Sequence, residues 1–152
     1  MRARRPHFVS FLLATALVVV ACSGGGAGAG AGAPSISDAW VRPPMGPGSP
    51  AAGYLTITGG DADDALVGAS SPIATDTQVH ETTAGTDGMA GMQEVDRIDV
   101  AAGATVTFEP GGYHIMFMDP DAAMLEVGGT VELTLTFETA GDVTVEAEVR
   151  AG

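Results

Sequence analysis

Val131-Glu132-Leu133-Thr134-Leu135-Thr136-Phe137-Glu138 alternates strictly, with apolar odd positions and polar even ones. In extended chain, successive side chains point to opposite faces. The octet therefore has one apolar and one wet face, as a half-buried β-strand does. Val143-Thr144-Val145-Glu146-Ala147-Glu148-Val149-Arg150 repeats the pattern, and Thr139-Ala140-Gly141-Asp142 between the two predicts a hairpin. Toward the N-terminus, further short strands are predicted at 39–41, 52–58, 64–70, 76–82, 92–95, 105–108 and 114–118. Gly59-Gly60-Asp61, Pro110-Gly111-Gly112 and Gly128-Gly129 punctuate them. No window of a dozen residues carries helical periodicity. Seven to nine short strands at this spacing predict one all-β domain, a two-sheet β-sandwich with Greek-key connections.

Charge narrows the partners. The 152 residues hold six Lys+Arg against 19 Asp+Glu. Arg2, Arg4 and Arg5 crowd the N-terminus, and every acid lies from Asp38 onward. The body is left with Arg42, Arg97 and Arg150 against nineteen acids, a charge of −16. Such a surface repels phosphate backbones, so no nucleic-acid partner is expected, and it offers no basic patch for anionic lipid.

The N-terminal segment reads as an address. Three arginines precede an apolar run of 13 residues, Phe8 to Val20. That run is short for a bilayer span and suits the core of a signal peptide. It ends in Val19-Val20-Ala21-Cys22. Small residues before a cysteine resemble a bacterial lipobox, in which Cys22 is lipidated and becomes the mature N-terminus. An ordinary secretory signal with an incidental cysteine is the alternative. Residues 1–22 are thus expected to be a lipoprotein signal peptide, with Cys22 anchoring the protein at the outer face of the cell membrane or in the periplasm. Residues 23–35, almost pure Gly and Ala as far as Ala33, are expected to be a flexible tether. Eleven such residues reach about 18 Å. Residues 36–152 are expected to form the β-sandwich domain.

The domain is poor in catalytic vocabulary. Cys22 is the only cysteine, so no intramolecular disulfide, zinc finger or CxxC pair can form. There is no lysine, and the domain has two histidines, His80 and His114. No GxSxG, GxxxxGK[ST] or HExxH occurs, and Glu81 beside His80 is the one tempting base. An enzyme is not expected.

Methionine is the unusual feature. Met45, Met89, Met92, Met116, Met118 and Met124 all fall in the domain. In Tyr113-His114-Ile115-Met116-Phe117-Met118, a strand puts His114, Met116 and Met118 on one face and Tyr113, Ile115 and Phe117 on the other. The bulky odd face is the natural core face. His80 is expected near a strand end, with Met89 and Met92 in the Gly-rich loop that follows; Gly85, Gly88 and Gly91 let that loop fold back closely. Thioethers are soft and uncharged and suit Cu(I), whereas Mg, Ca and Mn prefer oxygen and tetrahedral zinc prefers thiolate, imidazole or carboxylate. Outside the cytosol a thioether also escapes disulfide formation. A blue-copper centre needs a Cys thiolate, which is missing here. Two readings stand at this point. One is a copper site built for transfer. The other is a structural or adhesive sandwich whose methionines fill gaps in the core, the role expected for Met45 and Met124.

The run from His80 through Met92 to His114-Ile115-Met116 resembles the signature of PCu(A)C-type periplasmic copper chaperones, H(M)x10Mx21HxM. Glu81 occupies the optional Met position, residues 82–91 supply the ten, and residues 93–113 the twenty-one. The flanks are similar too: Asp38-Ala39-Trp40-Val41-Arg42-Pro43, Ala52-Gly53-Tyr54-Leu55, Ser70-Ser71-Pro72, Pro110-Gly111-Gly112-Tyr113-His114 and Leu133-Thr134-Leu135-Thr136-Phe137. The resemblance covers about residues 36–149. It implies a cupredoxin-like β-sandwich that binds Cu(I) through His80, Met92, His114 and Met116. It further implies delivery to the binuclear copper centre of cytochrome c oxidase or to a partner copper chaperone. Met89 and Met118 are the alternative thioether ligands.

Overall fold

The computed structural model describes residues 32–84 and 90–152. The proposed signal peptide, Cys22, most of the tether and Met89 lie outside the described residues.

Ten strands follow one another: β1 (Ser35–Arg42), β2 (Ala51–Thr58), β3 (Asp64–Ser70), β4 (Asp76–Ala84), β5 (Ala90–Glu94), β6 (Ile98–Val100), β7 (Thr105–Phe108), β8 (Tyr113–Met118), β9 (Thr130–Phe137) and β10 (Gly141–Val149). A single turn of 3-10 helix, Ala122–Met124, is the one helical element among the described residues. The domain is all-β, as the alternation predicts. Val131–Glu138 covers β9 from its second residue to one residue past its end. Val131, Leu133, Leu135 and Phe137 are all buried, and the hairpin to β10 runs in register from Phe137↔Gly141 to Thr130↔Glu148.

The two expected sheets are joined into one. The ladder runs β5-β4-β8-β7-β2-β1-β10-β9-β3-β6, with β8 also pairing β2. It curls so that both halves turn their apolar faces onto one shared core. Val79, Ile115 and Phe117 from one half meet Leu133, Leu135 and Phe137 from the other in a single cluster. β1 makes the join. It pairs antiparallel with β2 and parallel with β10, and its register shifts between Ser37 and Trp40. Asp38 takes φ 51° within that shift. A bulge of this kind bends a strand and sharpens its twist, which lets one strand serve both layers.

Two local expectations are corrected. β6 was not anticipated, because three residues are too few for alternation to stand out. Met45 and Met124 do not fill the core: they are 85% and 48% exposed. At the other end, folded contacts begin slightly before β1, since the Asp61 amide donates to the Gly32 carbonyl.

Candidate metal centre

The site is assembled by register. β4 and β8 pair antiparallel with His80 directly opposite His114 and Gln78 opposite Met116. β5 pairs β4 with Met92 opposite Thr82 and Glu94 opposite His80. β2 adds Ala52 opposite Met116, and β1 adds Arg42 opposite Ala52. Directly opposed residues share a face, as do residues two apart. His80, His114, Met116 and Met92 therefore all lie on the outer face of this half of the sheet. Ile115, Phe117 and Val79 on the inner face hold the strands to the core. The even/odd division read from the sequence of β8 is the division observed.

The side chains converge. The rings of His80 and His114 have centroids 5.8 Å apart and are tilted by 40°. A cavity of about 260 Å³ opens beside them, lined by Met92, His114, Met116, Arg42, Tyr54 and Ala52 among others. His80 lies beside His114 and does not line the cavity. Met92 is 64% exposed at the rim, whereas His114 is only 6% exposed. Met92 is on strand β5, which starts at Ala90, two residues before the strand expected at 92–95, so Met92 is paired in the sheet and not in the preceding loop; His80 is mid-strand and not near a strand end. Met118 shares the face of Met116, opposite Asp76, but is not part of the cavity wall.

Hydrogen bonds decide which ring atoms are free. Nδ1 of His114 lies 3.1 Å from the Gly112 carbonyl oxygen. A carbonyl only accepts, so Nδ1 carries the proton and Nε2 keeps its lone pair. Nε2 of His80 lies 3.0 Å from Oε1 of Gln78, and Nδ1 of His80 is buried with no partner. Burial, and then the charge that His114 would carry, hold the His80 imidazole below the usual histidine range, against an opposing pull from Glu94. Burial thus favours the neutral His80 ring, and each ring has an acceptor that selects which nitrogen holds the proton.

Tyr54 and Arg42 belong to the site and were not singled out from sequence. The Arg42 guanidinium lies 5.9 Å from the Tyr54 ring centroid, and Tyr54 packs on Trp40 at 4.5 Å. The signal was present in the Asp38–Pro43 and Ala52–Leu55 flanks, but pairing β1 to β2 to β8 is a long-range fact. Among the described residues, no three His, Cys, Asp or Glu side chains are grouped to hold a metal ion. A metal at this place needs methionine.

Residues 35–149 match the family model described as "Putative lipoprotein LpqE-like". The chain belongs to the LpqE-like family. It is 35% identical over 116 residues to "Putative lipoprotein Lxx21020" of Leifsonia xyli subsp. xyli (strain CTCB07), covering 76% of this chain and 68% of that protein. Among solved structures, the copper-bound PCuAC domain from PmoF2 is similar with a TM-score of 0.66 at 31% identity, covering 80% of this chain and 96% of that one. The CuI form of DR1885 from Deinococcus radiodurans gives a TM-score of 0.57 at 33% identity, covering 75% and 77%. The chain thus shares the fold of PCuAC domains, the family whose signature its sequence resembles.

Proposed function

We propose that this LpqE-like protein is an extracytoplasmic copper chaperone that carries Cu(I) between His80, Met92, His114 and Met116. The observation that carries the reading is the meeting of two imidazoles, at 5.8 Å between centroids, with two thioethers on one face of one sheet. Two imidazoles sharing an ion at about 2.0–2.1 Å from each nitrogen have centroids no more than about 6.4 Å apart. The observed spacing fits. Two neutral imidazoles and two thioethers form a soft, uncharged donor set, which suits Cu(I) and leaves it as a monocation. The copper-bound state of PmoF2's PCuAC domain and the CuI state of DR1885 support the same ion.

Transfer follows from the gradient of exposure. Met92 at the rim is the donor an incoming ligand meets first, and buried His114 is the last to let go. Stepwise exchange of this kind moves the ion without releasing it to water. The chemistry is carriage and not turnover. The acceptor in this reading is the binuclear copper centre of cytochrome c oxidase or a copper chaperone that serves it. The lipoprotein relatives support a place outside the cytoplasm; in this reading Cys22 bears the lipid.

The test is anaerobic Cu(I) titration against a chromophoric chelator. The intact protein is expected to take up about one equivalent, and His114→Ala/Met116→Ala to take up none. An intact protein that leaves all Cu(I) with the chelator is a structural β-sandwich, and the reading fails.

A further inference from the structure

The hydrogen bonds around β4 determine more than the presence of His80. Asp76, Gln78 and His80 are spaced by two and share one face. Nε2 of Gln78 donates to Oδ2 of Asp76 at 2.9 Å, and Oε1 of Gln78 faces Nε2 of His80 at 3.0 Å. A carboxylate only accepts, so the amide nitrogen of Gln78 must face Asp76, and its oxygen must face the ring. That oxygen also only accepts. Nε2 of His80 therefore carries the proton, and Nδ1 is left as a bare lone pair. Nδ1 is also the one buried side-chain nitrogen or oxygen among the described residues that has no hydrogen-bond partner. A buried polar atom without a partner is costly in an ordinary protein, which marks Nδ1 as an atom that awaits a ligand.

We infer that His80 meets the ion through Nδ1, that His114 meets it through Nε2, and that Gln78, oriented by Asp76, is the positioning residue that makes this so. The two rings are held by different acceptors, a side-chain amide for His80 and the Gly112 carbonyl for His114. They consequently present opposite nitrogens. Outer partners of this kind fix the tautomer and orientation of a ligating histidine. Asp76 and Gln78 touch no ion themselves. The identity of the ion rests on the copper reading above, whereas the tautomer does not.

The experiment is long-range proton–nitrogen correlation on the 15N-labelled, metal-free protein at neutral pH. His80 is expected to show a protonated Nε2 and a bare Nδ1, and His114 the reverse. Asp76 is exposed, so Asp76→Ala is expected to fold normally, to free the Gln78 amide to flip, and to bring in a second His80 tautomer. Gln78→Leu removes the acceptor and is expected to mix the tautomers further and to weaken Cu(I) affinity by about 10–100-fold. Adding Cu(I) to the wild type should shift the Nδ1 signal of His80 while its Nε2 proton stays. A His80 protonated on Nδ1 in the wild type, a tautomer indifferent to both substitutions, or loss of the Nε2 proton on loading overturns the inference. Failure of the wild type to take up Cu(I) at all, with the tautomer as expected, strikes the copper reading instead.

Discussion

Gly53 has no side chain, and Phe117 occupies the space one would fill. A Cβ built there meets Cε2 of Phe117 at 2.9 Å. Phe117 is fully buried on the inner face of β8, directly between Met116 and Met118 in sequence. Gly53→Ala is therefore expected to cost about 1–3 kcal/mol by overpacking and to lower Cu(I) affinity as well, because the strand carrying His114 and Met116 must shift. Urea unfolding and chelator competition on the same variant check both. The proposed ligands should differ in weight. Met92→Ala, at the exposed rim, is expected to weaken binding less than His114→Ala and to speed release, a difference that stopped-flow capture by a chelator reads. His80 brings a pH effect with a definite sign. Its imidazole titrates below the usual histidine range in the folded protein, so the unfolded chain takes up its proton first as pH falls. Metal-free stability should decline as pH drops below about 6.5, the ordinary histidine value, and level off below the folded value. His80→Gln should remove that part of the decline in thermal melts. At this scale the sequence was informative. The even face of β8 was legible because period two is a local property. The exposure of Met45 and Met124 was not, because nothing in their neighbourhoods says whether another strand covers them.

Among the elements, the β9–β10 hairpin is tied to β3 by one carboxylate. Asp64 accepts hydrogen bonds from the backbone amides of Thr139 and Ala140 in the hairpin turn, and from that of Ala65. Desolvation pushes its carboxyl up, but these donors together hold it below its ordinary value. A carboxyl lowered on folding stabilises the fold above its unfolded value, about 3.9, and that contribution is lost as pH falls through the lower, folded value. Asp64→Ala is expected to cost no more than about 1 kcal/mol after solvent screening at this open position. The cost should vanish in acid, as paired urea titrations at neutral and acidic pH would show. The hairpin was plain in the sequence because both strands alternate and the turn contains Gly141, at φ 76°. The tie to Asp64, the parallel pairing of β1 with β10 and the bulge that joins the two layers depend on residues far apart in the chain. No local pattern announces them. The strand expected from Met92 starts two residues early for a related reason: Ala90-Gly91 has weak strand propensity and is extended where β4 offers it a partner.

For the whole molecule, charge governs encounter. The body carries −16, and Arg97 and Arg150 are each engaged by nearby carboxylates. If the protein passes Cu(I) on as proposed, transfer to a basic acceptor is expected to slow as ionic strength rises from about 0.01 to 0.15 M, where the Debye length shrinks from about 30 to 8 Å. Stopped-flow transfer at several salt concentrations reads the slope, and a rate indifferent to salt contradicts electrostatic steering. A different consequence follows from β5 lying at one end of the ladder with all five of its residues exposed. An ion gripped by Met92 on one side and by β8 on the other would act as a rivet across β4, pinning a margin that backbone pairing alone holds on one flank. Amide exchange over 90–94 should then be slow in the laden protein and fast in the empty one. In the copper-chaperone reading, loss of the ion would leave that margin open to another chain's strand, and a receiver that reads backbone would know a spent carrier from a full one without ever touching the metal.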